Sequence, residues 1–307
     1  MGSHLMLLDT PALYFRAFYG IPDTVKAPDG TPVNAIRGVL DMMAWLFKNA
    51  PGSGGRPERL VACMDADWRP AFRVAAIPSY KAHRLGEGGA EIVPPALTAQ
   101  IPAIFEVLDA TGIAQVGAPG YEADDVIGTL AARSSVPVDI VTGDRDLFQL
   151  VDDARQVRVL YTARGIARIE VIDEAGVTAK YDIPGTSYAE FAALRGDPSD
   201  GLPGVRGIGA KTAAALVRRF GTVDAMLEAL DHADPRDPFP GNSRAKLAGA
   251  RDYLEAAMPV VRVATDIPIP DIDDRLPAAP ADPERLDDLK ERWNLGSSVG
   301  RLLAALE

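Results

Sequence analysis

"VDIVTGDRDLFQL", residues 138–150, opens as a run of apolar and β-branched residues and closes on Asp144 and Asp146, set just behind a glycine. A short apolar run bounded by Gly and Asp is read as a buried strand. "LMLLD" at 5–9 and "RLVACMD" at 59–65 repeat the plan, each ending on an aspartate, Asp9 or Asp65. In an open α/β sheet, ligands bind outside the carboxyl ends of the strands. The three acids are therefore expected at one edge.

Further strands are predicted in "IAQVGA" (113–118) and in "VRVLY" and "RIEVI" (157–161 and 168–172), the last two as a hairpin. Between them lie helix patterns at 32–48, with Ile36, Val39, Leu40, Met43 and Phe47 on one face, and at 95–112; "PGSGGRP" at 51–57 reads as a loop. This alternation predicts an α/β fold with a mostly parallel central sheet flanked by helices. An α/β core over 6–185 is followed by a helical region over 186–264. The Pro- and Asp-rich stretch 266–283 reads as an irregular tail before one last helix, giving a final segment of 265–307. No internal repeat or low-complexity segment is present.

With 307 residues, 47% hydrophobic and 24% charged, the chain is long enough for one large domain or two smaller ones. No apolar run approaches the roughly 18–20 residues that span a bilayer, and no secretory core follows the N-terminus, so no membrane partner and a cytoplasmic location are expected. "MGSHLM" resembles the remnant of an expression tag, and residues 1–5 are set aside from the fold. The single cysteine, Cys63, sits in an apolar run and is expected in the core. Three histidines offer no zinc pattern.

The helix start "YEADD" adds Glu122, Asp124 and Asp125 to the predicted edge, and "GDPSD" adds Asp197 and Asp200 from a turn. Singly, such acids serve as caps or turn residues or favour a first helical turn. Converging with Asp9, Asp65, Asp144 and Asp146, they would repel one another strongly. Hard divalent cations with oxygen ligands, at two sites or more, are the better explanation. "LLDTP" also brings to mind the aspartate of haloacid-dehalogenase-like phosphatases. That reading fails because the second aspartate expected two positions later is Pro11.

The formal net charge of −11 disfavours nucleic acid at first sight. Its distribution favours it, because 68–85 ("WRPAFRVAAIPSYKAHRL") and 202–221 ("LPGVRGIGAKTAAALVRRFG") contain no acid. The first carries Arg69, Arg73, Lys81 and Arg84; the second carries Arg206, Lys211, Arg218 and Arg219. Chance segregation of two solvated faces is the bland alternative. The aromatics Tyr14, Phe15, Phe18 and Tyr19 are expected to pack in the core, and Tyr80 likewise, with Arg16 a candidate DNA contact.

"GYEADD", "TGDRDLFQL" and "GDPSDGLPGVRGIGAKTA", in this order after a strand ending on Asp9 and another ending on Asp65, resemble the bacterial 5′ nuclease family, which includes the flap-endonuclease domain of DNA polymerase I. The resemblance runs from about residue 6 to 264. It implies a metal-dependent phosphodiesterase, using Mg²⁺ or Mn²⁺, that acts on DNA with 5′ flaps or 5′ ends at duplex junctions in replication and repair. It also implies that all nine acids named above are metal positions, that 68–94 forms a helical arch, and that 203–221 forms a helix-hairpin-helix-like element. Lys81, Arg84 and Arg73 are then assigned to the scissile phosphate. Gly207, Gly209, Arg206, Lys211, Thr212 and Arg218 are assigned to the duplex backbone, with K⁺ at the 207–209 loop. The "GEGG" break at 86–89 suggests a mobile arch. Gly201 departs from the usual "SDN" and Thr10 stands where glycine is common. The runner-up is a flap-DNA-binding protein of the same fold with little catalysis. No polymerase-sized extension follows, so a stand-alone protein is expected, with polymerase and ligase as conceivable partners.

Overall fold

A computed structural model describes residues 4–51, 56–232 and 239–307. Its centre is a six-stranded sheet in the order β3-β2-β1-β4-β5-β6. The strands are β1 (Leu5–Asp9), β2 (Arg59–Cys63), β3 (Ala114–Val116), β4 (Val138–Thr142), β5 (Val157–Tyr161) and β6 (Glu170–Ile172). All neighbours pair in parallel except β5 and β6, which form the expected antiparallel hairpin. β1 begins at Leu5, which pairs with Arg59 and Val138, so the fold starts one residue before the expected boundary. The loop expected at 51–57 lies partly outside the described residues.

Both faces of the sheet are covered, which is why its strands read as continuous apolar runs. Alternation along β1 sends Leu5 and Leu7 into one core and Met6 and Leu8 into the other. Cys63 joins the first, as expected, and is fully buried. That core continues through the helices Ala123–Arg133, Tyr188–Arg195, Ala210–Phe220 and Arg251–Val261, so the helical region shares apolar packing with the sheet. The second core is closed by the helices Asn34–Asn49 and Ile101–Thr111 and by the C-terminal helices. Among strand residues Asp139 is a buried acid; Arg158, its register partner on β5, donates to it at 2.6 Å.

Two expected helices are divided. The pattern at 95–112 forms Pro95–Thr98 and Ile101–Thr111, with Pro102 at the start of the second. Gln100, at the break, is fully buried; its Oε1 accepts from the N–H groups of Ala35 and Ile36 at 2.8 and 3.3 Å, completing the N-terminus of a different helix. The last helix is two, Pro283–Arg292 and Gly296–Leu306, separated at Asn294, which adopts φ +52°. The stretch before them has the irregular backbone expected but is packed into the body. Ile267 and Ile269 are buried, and their carbonyls accept from Arg133 at 2.8 and 3.2 Å.

Candidate functional site

In a sheet of this strand order the direction of winding reverses between β1 and β4, and their carboxyl ends open a crevice. β1 ends at Asp9, and β4 ends at Thr142, with Asp144 just beyond. Thr142 Oγ1 donates to Asp9 Oδ2 at 2.6 Å and accepts from the Asp144 N–H at 2.9 Å, tying the two strand ends together. Asp9 Oδ1 accepts from Ala12 N at 3.1 Å as the cap of the next helix. From β2, Asp65 reaches across to accept from Ala123 N at 2.8 Å, at the start of the helix that carries Asp124.

These elements surround a cleft of about 740 Å³ lined by Asp9, Asp65, Glu122, Asp124 and Asp144 together with Lys81 and Arg84. Burial pushes Asp9 up to about 6, and desolvation between the crevice walls pushes Asp65, whose side chain still reaches solvent, up to about 7, although hydrogen bonds from Thr142 and Ala123 pull the other way. Burial also holds Asp124 well above the ordinary carboxylate range, reinforced by Asp9 and Asp144. Asp146, Asp197 and Asp200 form a neighbouring group. Burial, then the charges of Asp144, Asp200 and Asp197, pushes Asp146 well up. Its Oδ1 is buried with no hydrogen-bond partner. Asp197 is held by Arg195 and Arg145 at 3.5 and 3.7 Å. Among the described residues no three acids form a ready-made ligand cage. The donors are nonetheless all oxygen, and an orphaned buried carboxylate oxygen beside three other acids fits a hard cation.

Two of the expected site residues are turned inward. Asp125 is fully buried and receives Arg73 through both oxygens, at 2.7 and 2.8 Å, while also accepting from the N–H groups of Glu122 and Ala264. Arg73, 3% exposed, is further engaged by Glu122 and by Val260 O at 3.0 Å. The pair ties the 68–94 segment to the helix Ala123–Arg133 and, through Val260 O and Ala264 N, to the helical region; the Asp125 carboxylate is filled by four donors. Glu122 lines the cleft, but its carboxylate accepts from Lys81, Arg73 and, at 2.7 Å, the Tyr80 hydroxyl.

Lys81 has the opposite character. Burial works against its charge, but Glu122 and Asp200 hold its pKa well above the ordinary value. Arg84 bonds Ser199 O at 3.0 Å and Asp200 at 3.2 Å. Both cations thus stand at the cleft, on a segment made of one short helix, Ala71–Ala76, and two single turns, Ala82–Arg84 and Glu87–Gly89, rather than long arch helices. "GEGG" is closed by a bridge between Leu85 and Glu91.

Arg16 lines the same cleft and its Nε is buried without a partner. Phe15 and Tyr19, four residues apart on one helix, line it too; Tyr19 is 72% exposed, so the aromatics expected in the core are divided between core and rim. Arg145 was missed by sequence reasoning, though its place inside "GDRD" was a signal. Thr142 was missed as well, and its role depends on the β1–β4 pairing.

Away from the cleft, Arg206, Gly207, Gly209 and Lys211 are exposed, and Thr212 half-buried, where the helix Ala210–Phe220 begins. Gly209 caps that helix without a side-chain bond. Gly207 adopts φ +79°, and Lys246 donates to its carbonyl at 2.7 Å, adding a cation to the loop that sequence distance concealed. Arg218, on the far part of the same helix, is ion-paired with Asp182, which lies just past the helix Glu174–Tyr181.

The family model described as 5′-3′ exonuclease, N-terminal resolvase-like domain, matches residues 4–182, and 5′-3′ exonuclease, C-terminal SAM fold, matches 183–284. A 5′-3′ exonuclease of Streptomyces coelicolor is 56% identical over 306 residues, 98% of this chain and 99% of the relative. One of Mycobacterium tuberculosis is 50% identical over 321 residues, covering 100% and 99%. DNA polymerase I of M. tuberculosis is 36% identical over 296 residues, 94% of this chain but 30% of the polymerase. The fold is shared with the T5 D15 protein co-crystallised with metal ions (TM-score 0.65, 18% identity, 99% of this chain and 100% of that one). It is shared too with human GEN1 in complex with Holliday junction DNA (TM-score 0.60, 15% identity, 99% and 72%). With both family models and near-full-length relatives agreeing with an acid-lined crevice at the sheet's switch point, the chain belongs to the 5′-3′ exonuclease family of phosphodiester hydrolases.

Proposed function

We propose that this chain is a divalent-cation-dependent, structure-specific 5′ nuclease that cuts DNA flaps near their junction with duplex and removes nucleotides from 5′ ends. The observation that carries this reading is the crevice where Asp9, Asp65 and Asp124 converge with raised pKa values, beside an unpartnered buried oxygen on Asp146. Asp9, Asp65, Asp124 and Asp144 would hold one cation, and Asp146, Asp197 and Asp200 a second beside it; Mg²⁺ or Mn²⁺ suits the oxygen donors. When bound, such ions supply a hydroxide at neutral pH and stabilise the leaving oxygen.

The remaining chemistry falls to the chain itself. Thr142 and the Ala12 N–H fix the Asp9 carboxylate. Lys81 and Arg84 face the cleft, where a phosphate would compete with Glu122 and Asp200 for their N–H groups and draw stabilisation as its charge grows. Arg16 and the Phe15–Tyr19 rim receive the strand next to the cut. Arg206, Lys211 and Thr212 hold duplex phosphate at a helix N-terminus, with Arg218 further along the helix, without reading bases. K⁺ at 207–209 would share the Gly207 carbonyl with Lys246, so replacing K⁺ by Li⁺ should change duplex affinity only modestly. No helix among the described residues is long and apolar enough to cross a membrane, in keeping with action on DNA in the cytoplasm.

The deciding experiment is cleavage of an end-labelled 5′ flap with Mg²⁺ or Mn²⁺ and with chelator. Metal-dependent cutting near the junction is expected. Flap binding without cleavage under any divalent ion would turn the reading into that of a DNA-binding protein.

A further inference from the structure

The 68–94 segment is docked at one defined place, onto the turn that carries Asp200. The Lys81 N–H donates to Asp200 O at 2.9 Å, Ser79 Oγ donates to Gly201 O at 2.9 Å, and Arg84 reaches Ser199 O at 3.0 Å. The approach is so close that a Cβ at Gly201 would sit on the Ser79 carbonyl oxygen, with the Ser79 carbonyl carbon at 3.1 Å and Lys81 N at 3.5 Å. Gly201 itself adopts φ +72°. Opposite it, Lys81 is held in the left-handed region at φ +47°, a conformation that crowds the Cβ against the following carbonyl and that lysine rarely enters. A strained lysine persists where its surroundings over-determine it. Here they do: its amide is bonded to Asp200 and its ammonium to Glu122.

We infer that Gly201 is a positioning residue: by admitting the 79–84 backbone against the 199–201 turn, it fixes Lys81 and Arg84 over the carboxylate crevice before DNA arrives. The inference rests on the reading of Lys81 as a phosphate contact. It differs from the mobile arch suggested by "GEGG", because the docked residues, 79–84, precede that turn and stay joined to the acidic turn whatever the tip does. It also accounts for the departure at 201. Asparagine tolerates a positive φ, but its Cβ would part the two backbones.

Gly201→Asn is the informative variant, since it keeps the left-handed conformation accessible and adds only the clash. In the full-length parent, amide exchange at Lys81 followed by NMR should be slow. Gly201→Asn should accelerate it at least tenfold and lower the single-turnover rate on a 5′ flap about tenfold, with flap affinity in Ca²⁺ changed less than twofold. Ser79→Ala, which removes one bond and no backbone approach, should give a smaller change in the same direction. Gly30→Ala is the control: Gly30 has φ +91° and open space around it, so it carries the left-handed strain without the clash. Its Lys81 exchange should match the parent. Fast Lys81 exchange in the parent, or unchanged exchange in Gly201→Asn, would overturn the docking. Accelerated exchange with an unchanged cleavage rate would overturn the positioning role. A normal single-turnover rate in Lys81→Ala would instead remove the catalytic reading of the lysine, an outcome told apart because the exchange data do not depend on cleavage.

Discussion

The two acid-free basic segments look alike on paper and have opposite fates in the fold. In 68–85 the cations face inward: Arg73 is buried against Asp125 and Glu122, Lys81 is bonded to Glu122, and Arg84 meets Asp200. In 202–221, Arg206 and Lys211 are exposed and have no partner among the described residues. The first segment balances the charge of carboxylates in and behind the crevice, with Lys81 and Arg84 at its edge; the second leaves Arg206 and Lys211 open to solvent, where the proposed duplex contact would lie. A run of cations in a sequence therefore states how much positive charge is available, and the acids that fold around it decide whether it serves the protein interior or a partner.

The hardest test of this contrast is Arg73→Met. Removing one partner of a buried ion pair leaves Asp125 uncompensated and should cost about 3–5 kcal/mol, read as a fall in the denaturation midpoint. A loss of cleavage with unchanged stability would restore Arg73 to the catalytic group. Asp124→Asn should lower single-turnover cleavage by about 10²–10³-fold with flap binding retained, a size typical of losing one electrostatic element of a site. Equal turnover would mean that the crevice is not the reaction centre.

The third prediction concerns pH. Asp9 is buried and raised to about 6, and Asp65, which keeps solvent access and so contributes less, is raised to about 7 by desolvation in the same crevice; the folded protein therefore holds protons that the unfolded chain has released. That contribution to stability is complete below pH 4, declines as pH rises through 6 to 7, and is gone by pH 8. Without divalent ions the midpoint of thermal unfolding should therefore fall between pH 5 and pH 8. Added Mg²⁺ or Mn²⁺ should raise it more at pH 8, where the carboxylates are ionised. Equal cation stabilisation at pH 5 and 8 would argue that these two aspartates lie outside the ion sites. The smallest effect is expected in the outward-facing segment. Arg206→Ala or Lys211→Ala should weaken binding to all duplex sequences alike and reduce the salt slope by about 1 per lost phosphate contact. An unchanged slope would place the duplex elsewhere.

Much of this protein was determined by sequence alone. Apolar strands closed by Asp9, Asp65 and Asp144 could be placed because a strand buried on both faces stays almost wholly apolar until it leaves the sheet, the exception in β4 being Asp139, which Arg158 pairs. The carboxyl-edge crevice and its acid supply followed from that, and the three motif blocks named the family. What sequence could not decide was which acids face the crevice. Asp124 and Asp125 are adjacent, yet successive helical residues point about 100° apart; one lines the cleft and the other is sealed against Arg73. Nor could it reveal Thr142 as the link between strand ends, Gln100 as the terminus of a distant helix, or Lys246 beside Gly207, because each depends on segments brought together from far along the chain. The docking of 79–84 on Gly201 belongs here too. A glycine in sequence permits a positive φ or a close approach, and only the tertiary structure supplies the backbone that comes close.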